Sequence, residues 1–415
     1  MTDQISQVVA DLDDVALRRQ FHPDFSPIGW HLGHAAWQRE VWLLRQLGGH
    51  SALAPEFDAL FDTFRSKKGA RGPALPDARR LRAYVEQVDA AVDSATSRYR
   101  GEPSFERASR LADNHERQHV EIVLCIRLLG ELYVAVRDGG EAPSVESLDN
   151  PWLPVPGGSF RVGCPRGNGA EDPDAWDNEH EAHEVHVAPF LMQRYPVSEG
   201  EWLAWMNAGG YERRQWWSAE GWAWRVRSGV VAPGHWRLAG DARWVRRSLC
   251  GVVPVGGTRP VAHLSWFEAD AYARSRGARL PTEAEWECAA GNESGGGDKR
   301  RYPWGAVFDA ARADVGRRSG DCSALGQHPA GASPCGIEDM CGGVWEWVSD
   351  AFRAYPGFAP GPYAEYSAPW FGVRHRVARG GSWLTAPSNA RVTFRNWYEP
   401  HVRQPCLGVR LVRDA

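Results

Sequence analysis

A chain of 415 residues is longer than one ordinary hydrophobic core supports, so two or three domains are expected. Its 43% hydrophobic and 24% charged content is that of a soluble globular protein, and a formal net charge of −4 without a long basic run argues against a nucleic-acid binder. No apolar stretch reaches membrane-spanning length and the acidic first segment lacks a signal-peptide core, so no membrane role and a cytoplasmic location are expected.

Residues 1–20 carry Ile5, Val8, Val9, Leu12 and Val15 on one helical stripe. Pro23 and Pro27 interrupt it. Ser26-Pro27 then opens a second helix, with Ser26 as its cap and Pro27 in its first turn, which runs to about Leu47 and stops at Gly48-Gly49. This helix holds His31 and His34. A short aromatic segment, Phe57 to Phe64, and a loop from Arg65 to Arg71 lead to a third helix at 77–98 and a fourth at 104–132. On the fourth, His115 and His119 lie four apart and so share one face, close enough for both imidazoles to grip one metal ion. Two ligands rarely hold a metal alone, and the densest source of a third is Trp30-His31-Leu32-Gly33-His34. The alternative is a pair of solvated surface histidines. The four helices predict an up-and-down bundle over 1–137, an architecture that builds metal sites from facing side chains.

Residues 138–151 read as a linker, rich in Gly, Pro, Ser and acidic residues. From 152 to 415 periodic helices give way to Gly, Pro and Trp. Strands are expected at 184–187, 376–378 and 409–412, and helices at 198–208, 266–276 and 282–290, the last opened by acidic Thr282-Glu283-Ala284-Glu285. Many of the 21 tryptophans fall at 202–244 and 345–397, which suits a loop-rich domain whose core and pocket walls are large rings. The eight cysteines form no Cys-x-x-Cys pair, and no disulfide framework is expected.

The stretches Pro156-Gly-Gly-Ser-Phe160, Ala278-Arg-Leu-Pro-Thr-Glu-Ala-Glu-Trp286, Gly343-Val-Trp-Glu-Trp347 and Arg379-Gly-Gly-Ser-Trp383 resemble the formylglycine-generating-enzyme/sulfatase-modifying fold, a C-type-lectin-like domain. The first part, with His115-x-x-x-His119-x-Glu121, resembles a DinB-type four-helix bundle. The α+β multidomain combination is similar to the ergothioneine sulfoxide synthases, and to the selenoneine synthases that share their architecture, over nearly the whole chain.

This resemblance implies an enzyme that binds Fe(II) through His34, His115 and His119, with His31 a neighbour of the site. Glu121 is expected either to orient a ligand imidazole or to form an ion pair on the helix surface, and Gln118 to lie near substrate. The resemblance further implies small-molecule substrates: hercynine (N,N,N-trimethylhistidine), O2 and a sulfur or selenium donor that is joined to imidazole C2. Tyr363 corresponds to the family's proton donor, Tyr366 to a residue that binds the trimethylammonium group, and Trp397 of Arg395-Asn396-Trp397 to a ring that helps enclose it. The chain departs from the family pattern at the donor pocket. In the mycobacterial-type enzymes an Asp and an Arg hold γ-glutamylcysteine, and the matching positions here are Tyr398 and Val402. A further family arginine is Lys68, while Arg71 keeps its match. Losing the Asp/Arg charges removes recognition of an amino acid's ammonium and carboxylate, so a donor other than γ-glutamylcysteine in its usual pose is expected: cysteine, or a selenosugar. Glu399, His401 and Arg403 are the candidates to bind it. Two other functions compete. Formylglycine generation needs a copper-binding cysteine pair, and Cys335 and Cys341 precede the place where that pair belongs. A lectin-like binding module would give the histidines no role.

Overall fold

The computed structural model describes residues 4–133, 148–167, 171–291, 299–317, 320–361, 363 and 365–415. The chain divides into two compact units, 1–132 and 133–415. Most of the segment expected as a linker, 138–147, lies outside the described residues; 148–151 is irregular chain.

The first unit is helical. The helix expected over 1–20 is two short ones, α1 (Gln4–Val8) and α2 (Asp14–Arg18), the second capped by Asp13, whose side chain accepts from the Ala16 amide. Ile5, Val8, Val9 and Leu12 are buried as the stripe predicts, but Val15 is 73% exposed. The turn between α1 and α2 resets the helical phase, and Leu17 takes the buried place instead. Next comes α3 (Ile28–Arg39), which continues without a break into a π-helical segment, Glu40–Leu47, before Gly48. Ser26 is not its cap: the capping position is Pro27, which has no side chain to offer, and Ser26 Oγ accepts from Arg71 Nη1 at 2.5 Å. Two pieces follow, α4 (Asp58–Phe61) and α5 (Lys68–Ala74). The latter corrects the loop expected at 65–71: residues 68–74 form one short helix with Pro73 next to its end. Two long helices complete the unit, α6 (Ala78–Arg98), capped by Asp77, and α7 (Pro103–Gly130).

Nearly all of α3 is buried because it packs against both α6 and α7. Gly33 permits one of these approaches. A Cβ there would meet the Phe61 ring at 2.1 Å, so only glycine lets α4 lie so close to α3. Behind α3, Glu40 is fully buried and accepts from Tyr84 Oη (2.6 Å), the Leu53 amide (2.8 Å) and Arg45 Nε (2.8 Å). The Tyr84 bond ties the π-helical segment to α6. Among the described residues no helix is long and apolar enough to cross a membrane.

Among the described residues the second unit has four small sheets and four α-helices. In chain order these are β1 (Trp152–Val155), β2 (Gly158–Val162), β3 (His183–Val187), β4 (Phe190–Gln193), α8 (Glu199–Asn207), α9 (Ala219–Ser228), β5 (Trp236–Leu238), β6 (Trp244–Ser248), β7 (Gly251–Pro254), α10 (Trp266–Ser275), α11 (Glu283–Gly291), β8 (Trp345–Ala351), β9 (Arg376–Arg379), β10 (Asn396–Tyr398), β11 (Leu407–Gly408) and β12 (Val412–Asp414). The sheets run β1-β4-β12, β10-β9-β8-β11, β2-β3 and β5-β6-β7, antiparallel except for the β8–β11 pair. Helices α8, α10 and α11 fall where the sequence expects them because their caps are local. Ser198/Glu201 and Ser265/Glu268 form reciprocal capping boxes, and Thr282 and Glu285 exchange the same two bonds. Helix α9, with only Gly221 buried, is not marked by hydrophobic periodicity and was not expected. The strand expected at 409–412 is displaced: its pairing residues are 407–408 and 412–414.

The core joins Val155, Phe190 and Met192 of one sheet to Val348 and Val377 of another across Trp286 of α11. Trp202, Trp286, Trp345 and Trp347 are fully buried, which is how a loop-rich unit fills its interior with few long elements. Buried ion pairs replace apolar contacts at several places. Glu283 holds Arg379 (2.8 Å) and Arg395 (2.7 Å), and Glu179 holds Arg391 through both carboxylate oxygens (2.6 and 2.7 Å).

Candidate functional site

In the first unit α3 and α7 bring His34, His115 and His119 together. One ring nitrogen of each lies within 4.8 Å of the others, and among the described residues these form the one group of three or more His, Cys, Asp or Glu side chains placed to hold a metal ion. All three are buried, so the surface-histidine alternative is excluded. His119 Nε2 stands 3.3 Å from His115 Nε2, a spacing that fits two nitrogens each about 2.1 Å from one ion. His34 directs Nδ1 to the Phe61 carbonyl at 2.6 Å. A carbonyl only accepts, so Nδ1 carries the proton and Nε2 keeps its lone pair for a ligand bond.

Burial also fixes the charge state. Removal from water pushes the His31, His115 and His119 imidazoles well below their ordinary range, and brings His34 down to about 4 against a bond to the Phe61 carbonyl that favours the cation. At neutral pH all are therefore uncharged, as a metal ligand must be. The residues thus fit a divalent transition metal in an imidazole-rich site.

A stability prediction follows from the same shifts. The folded-state values are depressed, so the unfolded chain binds more protons than the folded one in mildly acidic solution. Stability of the metal-free protein is complete above about pH 6.5 and falls as pH drops toward 4, with His34 alone contributing about 3 kcal/mol to the loss. Urea titrations at half-unit pH steps check this, and a flat profile from pH 7 to 4.5 contradicts it.

Trp30 lies parallel to His34 at 4.5 Å, and the Arg71 guanidinium caps the other face of Trp30 at 3.7 Å. Arg71 is buried and bonded to Ser26 and Ser66 side chains and to the Thr63 and Ser66 carbonyls, so its guanidinium is held in place against Trp30. The stack joins Trp30 and His34, one turn apart on α3, to Arg71 of α5. Lys68, by contrast, is exposed and donates to the Asp24 carbonyl at 2.6 Å. Gln118 is half-buried, one residue before His119. Glu121, two residues after His119 on α7, is 7% exposed.

In the second unit the candidate aromatic residues form one cluster. Tyr366 stacks on Trp176 at 3.9 Å and meets the Trp397 ring edge-on at 5.5 Å, Trp397 stacks on Phe352 at 4.2 Å, and Tyr363 lies 6.2 Å from Tyr366. Trp176, 190 residues away from Tyr366, carried no local signal. Buried polar bonds hold the cluster: Asn178 Nδ2 donates to Ser367 Oγ at 2.9 Å, Ser367 donates to Asp177, and Arg395 donates to the Asn178 carbonyl at 2.8 Å. Asn396 Nδ2 donates to Tyr398 Oη at 2.9 Å. Arg403 is turned to the Ala232 carbonyl and lies 3.6 Å from Glu268, while Glu399 pairs with Arg374 (3.0 Å) and His401 (3.6 Å). Burial pushes the Cys335 and Cys341 thiols up, and Cys341 donates to the Ala390 carbonyl at 3.1 Å, which is the behaviour of inert interior cysteines.

The two units define a class: a DinB-type helical unit with a buried three-histidine cluster, followed by an α+β, C-type-lectin-like sulfatase-modifying domain. The DinB superfamily model matches residues 1–123 and the sulfatase-modifying factor enzyme 1-like domain matches 143–415. The chain is 39% identical to a hercynine oxygenase of Mycolicibacterium smegmatis over 98% of its own length and 95% of that protein, and 40% identical to one of Mycobacterium tuberculosis with the same shares covered. A formylglycine-generating enzyme of Thermomonospora curvata is 32% identical over 65% of this chain and 96% of its own. The chain belongs to the hercynine oxygenase family.

Proposed function

We propose that this protein is a nonheme Fe(II)- and O2-dependent oxidoreductase that joins a sulfur or selenium donor to C2 of the hercynine imidazole. The observation that carries the reading is the cluster of three buried, neutral histidines in a chain that shares 39–40% identity over nearly its full length with hercynine oxygenases. Bound Fe(II) would supply redox chemistry with O2, through His34, His115 and His119. The protein's own groups bind and position. Tyr366 and Trp397 present aromatic faces to the trimethylammonium of hercynine; Trp176 and Phe352 already cover one face of each, so the cation takes the opposite ones. Tyr363 Oη is the proposed proton source.

The donor is where this member differs. Tyr398 and Val402 carry no charge to pair with an amino acid's ammonium and carboxylate, and Arg403 is committed to Ala232 and Glu268. These features support a donor other than γ-glutamylcysteine in the family's usual pose, with a selenosugar as the specific alternative to a thiol. The test is a donor screen: Fe(II)-loaded protein, hercynine and air, with γ-glutamylcysteine, cysteine or selenoglucose in separate reactions read by mass spectrometry. A thiol adduct with cysteine, or a selenium adduct from the sugar, is expected. Turnover with γ-glutamylcysteine far above the others would overturn the donor reading. No adduct with any donor would favour a non-catalytic, lectin-like module.

A further inference from the structure

The three candidate ligands leave one histidine of the cluster without a role. His31 lies three residues before His34 on α3, is 5% exposed, and places its Nδ1 2.8 Å from Nδ1 of His119. Two imidazole nitrogens at that distance share one proton: one donates and the other accepts. The direction is fixed by what His119 does on its other side. Its Nε2 faces His115 Nε2 at 3.3 Å, so Nε2 is the atom available for a metal, and a neutral imidazole with a lone pair on Nε2 carries its proton on Nδ1. His119 Nδ1–H therefore donates, and His31 Nδ1 accepts. The His31 proton must then sit on Nε2, which is buried and has no hydrogen-bond partner among the described residues. A buried donor left unbonded is costly, and the fold retains it at this position.

We infer that His31 is a positioning residue: through its Nδ1 it accepts the His119 Nδ1–H, locks the tautomer and ring plane of His119, and so aims His119 Nε2 at the metal. This rests on the metal reading proposed above. It explains why His31 lies within the cluster yet outside the group of three whose nitrogens converge. The chemistry is that of an outer-shell acceptor that makes a ligand imidazole a better donor, a role in which a carbonyl or carboxylate also serves. His34 already has such a partner in the Phe61 carbonyl at 2.6 Å, and His31 gives His119 the equivalent.

The test reads metal binding and proton placement. Co(II) affinity, measured by chelator competition, and the Co(II) ligand-field spectrum are compared for the wild type, H31L, H31N and H31D. H31L is expected to bind roughly 10–100-fold more weakly with an altered spectrum, and H31D, whose carboxylate accepts the same bond, to recover most of the affinity. Wild-type affinity and spectrum in H31L would overturn the proposal. A wild type that binds no Co(II), Zn(II) or Fe(II) would instead defeat the metal reading itself. If H31L loses its helical circular dichroism, nitrogen-15 spectra of histidine-labelled, Zn(II)-loaded wild type decide. Protonated Nδ1 on His119 and protonated Nε2 on His31 support the assignment, and a protonated His31 Nδ1 refutes it.

Discussion

H119A is expected to lose stoichiometric iron and turnover together while keeping its helical circular dichroism. Of the three proposed ligands His119 sits most centrally in the cluster: its ring lies 4.5 Å from His115, 4.8 Å from His34 and 5.0 Å from His31. Removing it leaves two candidate ligands of three, and two imidazoles on facing helices do not outcompete water for a divalent ion. The effect on activity should exceed the roughly 10–100-fold that loss of an outer-shell partner costs, and the same holds for H34A and H115A. The fold itself should tolerate the change, because deleting a ring from α7 leaves the apolar contacts of Val120, Val123, Leu124 and Ile126 in place. Metal analysis and turnover on each single variant check this. Full iron content with full turnover in any of the three would remove that histidine from the proposed ligand set.

The second large effect is structural. E283A should destabilise the C-terminal unit by about 3–5 kcal/mol, because it leaves the buried Arg395 guanidinium without its carboxylate and Arg379 with Glu287 alone. Arg379 and Arg395 are each at most 1% exposed, and Glu283 bonds both. Burial alone would push the Glu283 carboxyl up, yet the Arg395 and Arg379 charges override it and hold it below the ordinary range. Arg395 also stacks over Tyr355 at 3.9 Å and over Phe352 at 4.9 Å, and it directly precedes β10, which carries Trp397. The loss of stability should therefore come with disorder around Trp397. Calorimetric unfolding, with tryptophan emission as the second signal, measures both. A loss under about 1 kcal/mol would show that Glu287 and the backbone carbonyls compensate the Arg379 and Arg395 charges without Glu283.

Local signals were legible wherever the physical cause is itself local. The caps of α8, α10 and α11 are side chains three residues apart, and their helices fall within one residue of the expected ends at most positions. The i, i+4 spacing of His115 and His119 placed them on one face in advance, as any regular helix requires. Where the cause is distant the reading went astray. Ser26 looks like a helix cap until Arg71, 45 residues on, takes its hydroxyl. Helix α9 buries so little that periodicity cannot mark it.

The sequence by itself determined the change of character between the two units, the helical character of the first, and the shared helix face of His115 and His119, because spacing along a helix and the caps at its ends are properties of short segments. Residue spacing left the third member of the group open between His31 and His34, and the family resemblance implied His34; the tertiary structure shows His34 joining His115 and His119, His31 bonding to His119, and Trp176 stacking on Tyr366. Those pairings span 81, 88 and 190 residues of chain. No propensity or period reaches across such separations; they are fixed by which faces two elements bury against each other, as where Gly33 lets Phe61 close on α3 and turn its carbonyl to His34.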